Sequence, residues 1–220
     1  MPLRGRGMIV SVDRHQSQSC LAKDHRMPAI KAVTVFGGAA SGHDPVCRET
    51  ASALGRGLAA AGITVIFGGG SIGMMGAVAD GALGAGGEVI GIIPDFLARL
   101  EVAHTAVSEM IVTDSMHSRK RRMFELSDAF VTLPGGLGTL DETFEMITWR
   151  QLDLHAKPIL ICDVGGWAKP FLALVDALIA QGFAPSHAGR FYEVLDGAEA
   201  VVARLTELPA VEEATVVSRL

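Results

Sequence analysis

The sequence predicts a doubly wound α/β fold: one parallel β-sheet flanked by helices, in a single domain. Three observations predict it. Short β-branched apolar runs alternate with longer segments of helical period, the runs are apolar on both faces, and glycine clusters follow three of them. The expected strands are Ala32 to Phe36, Thr64 to Phe67, Glu88 to Ile93, Met110 to Thr113, Ala129 to Leu133 and Pro158 to Cys162. Between them lie helical stretches around Pro45 to Ala61, Gly73 to Ala85, Ser115 to Leu126, Leu140 to Gln151 and Trp167 to Gln181, and a last helix is expected from near Gly197. Strands without polar alternation suit a sheet covered by helices on both sides, whereas a half-exposed antiparallel sheet would alternate.

Composition narrows the function. With 220 residues, 49% of them hydrophobic, the chain is long enough to bury a full core in one domain. We place that domain at residues 29–208, with residues 1–28 as a flexible extension and 209–220 as a loosely held tail. The first stretch is polar and basic and lacks the apolar core of a secretory signal. A net charge of -5 gives no global attraction to nucleic acid or an anionic membrane, and no apolar run approaches the roughly 18 residues that span a bilayer. Cys20, Cys47 and Cys162 are odd in number and widely spaced, which fits reduced thiols in a cytoplasmic protein. The histidines are scattered without an H-E-x-x-H pattern, so no metal is expected.

Loops leaving the carboxyl ends of parallel strands gather on one edge of the sheet, where ligands bind. Three such loops are rich in glycine: Phe36 to Gly42, Phe67 to Gly76 and Leu133 to Gly138. Without Cβ atoms, their amides can close on phosphate oxygens at a helix start, where the helix dipole also favours negative charge. No G-K-[ST] follows any of them, so none is a Walker A loop, which disfavours nucleoside triphosphate hydrolysis. No acid closes the second strand to hold a ribose diol, which makes a mononucleotide a better fit than a dinucleotide.

Two segments add side-chain chemistry. Thr139 to Glu142 has the T-x-x-E form of a capping box, and that alone explains its spacing. If the amides of Gly135 to Thr139 instead hold a phosphate, a carboxylate beside them faces the attached sugar, where work on a glycosidic bond occurs. In "DSMHSRKRRMFELSDAF", Met116, Lys120, Met123 and Ser127 share a helical stripe, and Arg119 borders it instead of pointing into water. The bland reading of Arg119 to Arg122 is a solvated face or a nucleic-acid patch. Against the latter, no aromatic platform interleaves the run and the chain is acidic.

"MHSRKRRM" followed by "PGGLGTLDE" resembles the Lonely Guy (LOG) family of cytokinin riboside 5′-monophosphate phosphoribohydrolases, with the likeness running from about Ala32 to Gly182. The resemblance implies a Rossmann-like enzyme that hydrolyses the N-glycosidic bond of an adenine-type nucleoside 5′-monophosphate, releasing base and ribose 5-phosphate without a cofactor. It implies Arg119 and Glu142 as the catalytic pair. It also implies substrate contacts from Glu101, Lys120, Gly135, Gly136, Leu137, Gly138, Thr139, Leu140, Asp141 and Thr148. Leu137 departs from the tyrosine common in plant relatives, and the first glycine loop has fewer serines than many members; both bear on base preference. The label lysine decarboxylase, often attached to such chains, is rejected because no lysine is set up for a pyridoxal Schiff base. A different class of function, a nucleotide or molybdenum-cofactor carrier, needs the phosphate loops but not the Arg119 and Glu142 pair. Phe144, Ile147, Trp149 and Leu154 offer more apolar bulk than one sheet face needs, which reads either as core packing or as the interface of a homodimer, the state the resemblance implies.

Overall fold

The computed structural model describes residues 30–98 and 103–209. Along the chain come β1 (Ala32–Phe36), α1 (Pro45–Ala60), β2 (Thr64–Phe67), α2 (Gly73–Gly84), β3 (Val89–Pro94), α3 (Asp95–Ala98), β4 (Glu109–Thr113) and α4 (Met116–Leu126). They are followed by β5 (Ala129–Thr132), α5 (Leu137–Gln151), β6 (Ile159–Asp163), α6 (Ala168–Ala180), a short 3-10 turn at Ala188–Arg190, β7 (Glu193–Asp196) and α7 (Gly197–Glu207). The extension 1–28, Glu101 and residues 210–220 of the expected tail lie outside the described residues.

All seven strands join one sheet in the order β4-β3-β2-β1-β5-β6-β7, and every neighbouring pair is parallel. The chain winds outward from β1 to β4, returns to the centre at β5 and winds outward the other way. Connections leaving β1 and β5 therefore diverge, and the crevice between their carboxyl ends is the topological switch point. The six expected strands are present. The seventh, "EVLD", was not expected because two acids in four residues break the apolar pattern, as an edge position permits.

Alternation along each strand divides the core. Val33, Val35, Val65 and Phe67 face Leu54 and Leu58 of α1, Val78 of α2 and Val201 of α7. Phe36, Ile66, Phe130 and Ile161 face Met123 and Phe124 of α4, Met146 of α5 and Phe171 of α6. On the first side α1 and α2 approach closely because both present glycine. A Cβ at Gly55 would fall 2.1 Å from the Val78 carbonyl oxygen, and one at Gly81 would fall 2.2 Å from that of Ser52. Either addition would prise the helices apart at a cost of about 1–3 kcal/mol.

The apolar bulk on α5 packs against the core, in full for Ile147 and in part for Phe144 and Trp149. Ile147 is buried, the Phe144 ring lies 5.1 Å from that of Phe171, and Trp149 meets Phe124 edge-on at 5.2 Å. The large apolar side chains left in water include Leu137, Leu152 and Phe183. Among the described residues no helix is long and apolar enough to cross a membrane.

Candidate active site

The crevice at the switch point is floored by main chain. The loop after β1 is stitched to the loop after β5 by the Gly38 amide donating to the Pro134 carbonyl at 3.1 Å, and Gly38 in turn accepts from the Met74 amide at 2.9 Å. So tight a junction requires glycine: a Cβ on Gly135 would lie 2.1 Å from Thr139 Oγ1 and 2.8 Å from the Gly38 amide nitrogen. Above this floor opens a cavity of about 680 Å³. Its walls are Gly37 to Asp44, Pro134 to Gly136, Gly138, Thr139, Asp141 and Glu142, with Cys47, Met75, Met116, Arg119 and Trp167. The first and third glycine loops thus line it directly, and the second contributes Met75.

Helix α5 begins at Leu137, three residues before the expected start, with extended Gly136 as its N-cap and no side-chain cap. The expected capping box is therefore not formed. Thr139 already stands in the first helical turn, where an N-cap hydroxyl has no place, and Glu142 stands in the second. Glycine is itself an acceptable N-cap, and it leaves the first-turn amides without a side-chain acceptor at the edge of the cavity. A helix start of this kind favours an anion. Thr143 Oγ1 donates to the Thr139 carbonyl at 2.7 Å and bonds Thr132 Oγ1 at 2.8 Å, locking the start of α5 to the end of β5.

Arg119 enters from α4, whose start is fixed by a reciprocal Ser115–Ser118 box. Its side chain is only 6% exposed. Nε donates to the Ile92 carbonyl and Nη2 to the Gly68 carbonyl, each at 3.1 Å. These acceptors lie at the carboxyl ends of β3 and β2, so the guanidinium is tethered along the ligand edge of the sheet. Among the described residues no carboxylate stands at ion-pair distance from it. Glu142 lines the same cavity. Burial pushes its carboxyl up to about 7, against the pull of Arg119 and Lys120, while Asp141 and Glu145 add to the rise. The cavity thus combines a fixed positive charge, a carboxyl that changes state near neutral pH and a cradle of amides.

The family model described as "Possible lysine decarboxylase" matches residues 75–205. The probable cytokinin riboside 5′-monophosphate phosphoribohydrolase LOGL9 of Oryza sativa subsp. japonica is 40% identical over 209 residues, covering 93% of this chain and 92% of that protein. The chain belongs to the LOG family. The cytokinin riboside 5′-monophosphate phosphoribohydrolase of Rhodococcoides fascians is 41% identical over 157 residues, 71% of this LOG-family chain and 79% of its relative. Among solved structures, the molybdenum cofactor binding protein of Rippkaea orientalis superimposes with a TM-score of 0.62 at 22% identity, over 80% of this chain and 94% of that one. That likeness shows a common fold.

Within this LOG-family site the sequence-predicted residues separate into groups. Gly135, Gly136, Gly138, Thr139, Asp141, Arg119 and Glu142 share the cavity wall. Lys120 lies behind Glu142, with its ammonium 2.9 Å from Asp141 Oδ2 and 3.1 Å from Glu145 Oε2. Leu137 points outward, 88% exposed, and Leu140 packs against the α5 side of the core. Thr148 is exposed on α5, away from the cavity lining. Arg121 and Arg122 reach Glu125 at 3.0 and 3.4 Å, so part of the basic run is neutralised on its own helix. Sequence reasoning missed His43, Asp44, Cys47, Met116 and Trp167 as wall residues. For Trp167 a signal existed: two glycines with positive φ, Gly165 and Gly166, follow β6 on the same sheet edge and turn the chain back to the cavity.

Proposed function

We propose that this protein hydrolyses the N-glycosidic bond of adenine-type nucleoside 5′-monophosphates of the cytokinin riboside kind, releasing free base and ribose 5-phosphate. The observation that carries the reading is the meeting of Arg119 and Glu142, from different helices, in one glycine-floored cavity. The named activity of the relatives, at about 40% identity over most of the chain, agrees with it.

In this reading the phosphate rests on the first-turn amides of α5, which orients the sugar before chemistry begins. As the bond from the anomeric carbon to the base nitrogen breaks, its electron pair leaves with the base, which takes up a proton from solvent to depart neutral, and the sugar becomes oxocarbenium-like. Ionised Glu142 stabilises that cation and takes a proton from the attacking water, whose oxygen bonds to the anomeric carbon. The proton that Glu142 removes from water is afterwards returned to solvent. Arg119, held by two carbonyls, fixes the substrate and stabilises the negative charge that develops. Among the described residues lining the cavity there is no lysine, which gives decarboxylation through a Schiff base no obvious starting group. We also infer a hydrolase domain over 29–208, a homodimer, and a reducing cytoplasmic setting in keeping with the free thiols Cys47 and Cys162.

The test is incubation with AMP and with isopentenyladenosine monophosphate, followed by chromatography for free base. Glu142→Gln should abolish turnover while nucleotide affinity, measured by calorimetry, falls far less. A carrier would bind nucleotide with the same affinity before and after the change and release no base from either protein.

A further inference from the structure

Resting on the hydrolase reading, we propose that Lys120 is a positioning residue for Glu142: clamped between Asp141 and Glu145, it neutralises the carboxylates on either side of Glu142 instead of holding the nucleotide.

The geometry is a bridge between helices. Asp141 and Glu145 are separated by one turn of α5 and flank Glu142 in sequence, and the Lys120 ammonium from α4 reaches both. It is mostly buried, at 18% side-chain exposure. Behind the main cavity, Lys120, Glu142 and Glu145 share a small recess walled by Phe36, Phe124 and Met146. An apolar wall makes local charge count for more than it does in water. Freeing the ammonium to meet a phosphate would leave two neighbouring carboxylates facing each other across one helical turn, with an incoming anion added.

The charges around Glu142 explain why the bridge matters. Arg119 and Lys120 come from α4, Asp141 and Glu145 from α5 itself, and His43 and Asp44 also line the cavity. Three carboxylates on α5 thus face two cations. Removing Lys120 deletes one of the two and releases the repulsion of Asp141 and Glu145 onto Glu142, so the carboxylate form needed for catalysis forms only at higher pH. The same two carboxylates outweigh burial and hold Lys120 above the usual lysine range, so the clamp stays charged throughout the working range.

Two readouts test this. The pH dependence of kcat/KM for AMP should keep its shape in Lys120→Met but shift its acidic limb upward by about one unit. Its KM on the alkaline plateau should change less than about threefold, and Lys120→Arg should restore the midpoint. Glu145→Gln, which removes a carboxylate without touching the cavity, should move the limb the other way. Nuclear magnetic resonance titration of labelled glutamate side-chain carboxyls, with the Glu142 signal assigned by its loss in Glu142→Gln, should show the same displacements without any need for turnover. If the parent protein released no base, the hydrolase reading would fail while the titration still decided the role of Lys120. An unmoved Glu142 midpoint in Lys120→Met and Glu145→Gln, or a KM raised tenfold or more at a fixed midpoint, would overturn the proposal.

Discussion

Gly68→Ala separates the catalytic role proposed for Arg119 from a purely structural one. The added methyl would sit 2.1 Å from Arg119 Nη2 and 2.9 Å from Met75 Sδ, with no backbone atom among its nearest neighbours. Both obstacles are ends of flexible side chains, so the fold can relieve the clash by moving them. The guanidinium must retreat by about 1 Å to reach even the tightest contact real Cβ atoms make, and it loses its 3.1 Å bond to the Gly68 carbonyl. A displacement of about 1 Å in a catalytic group costs on the order of 100-fold in rate, equivalent to about 2.7 kcal/mol of transition-state stabilisation. The lost charged hydrogen bond costs about 1.5–3 kcal/mol at most, partly recovered as Arg119 finds water in the cavity. Release of free base from AMP should therefore fall about 100-fold in kcat/KM, while thermal unfolding shifts by only several degrees. Activity within a few-fold of the parent, combined with a large loss of stability, would show that Arg119 ties β2 to β3 and takes no part in catalysis.

Three further outcomes are expected. With Glu142 at about 7 and active as the carboxylate, kcat/KM should rise through neutral pH and level off above it; a fall across that range would make Glu142 a proton donor. His155, buried against Phe124 and Phe130, is held down at about 4 from its ordinary 6.5, chiefly by burial. Above 6.5 its contribution to stability is complete; as pH falls towards 4 the unfolded chain takes up a proton that the native ring refuses, so about 3 kcal/mol should be lost, a slope that denaturant titrations of His155→Phe should lack. Gly135→Ala drives a methyl into Thr139 and the Gly38 amide, so it should raise KM at least about tenfold and lower stability by about 1–3 kcal/mol, as calorimetry and steady-state kinetics would show.

Much of this architecture was legible because buried parallel strands carry a strong local signal. Val65 and Phe130 lie in uninterrupted apolar runs, Val33 in one broken only by Thr34, and the glycine clusters after β1, β2 and β5 mark the ligand edge. The exposed edge strand β7 was not legible, since Glu193 and Asp196 look like loop. At the site, helical period alone placed Arg119 against the core, and the structure buries it. The start of α5 was misjudged because T-x-x-E is a capping signal wherever it appears, and only the path of Pro134 to Gly136 reveals that the helix has already begun. Lys120 shows a different limit. Its position on the stripe was readable, but its two carboxylate partners lie on another helix, twenty-one and twenty-five residues along the chain.

The stitch between Gly38 and Pro134 has a consequence for how such a protein can diversify. On the proposed reading, the part of the crevice that would receive the phosphate consists of peptide groups, whose donors survive almost any change of side chain, provided the few Cβ-free positions stay as they are. Cys47, Met75, Met116 and Trp167 stand around it as ordinary replaceable residues. Accumulating substitutions can thus remould the pocket around a new base while the grip on the ribose phosphate is inherited intact.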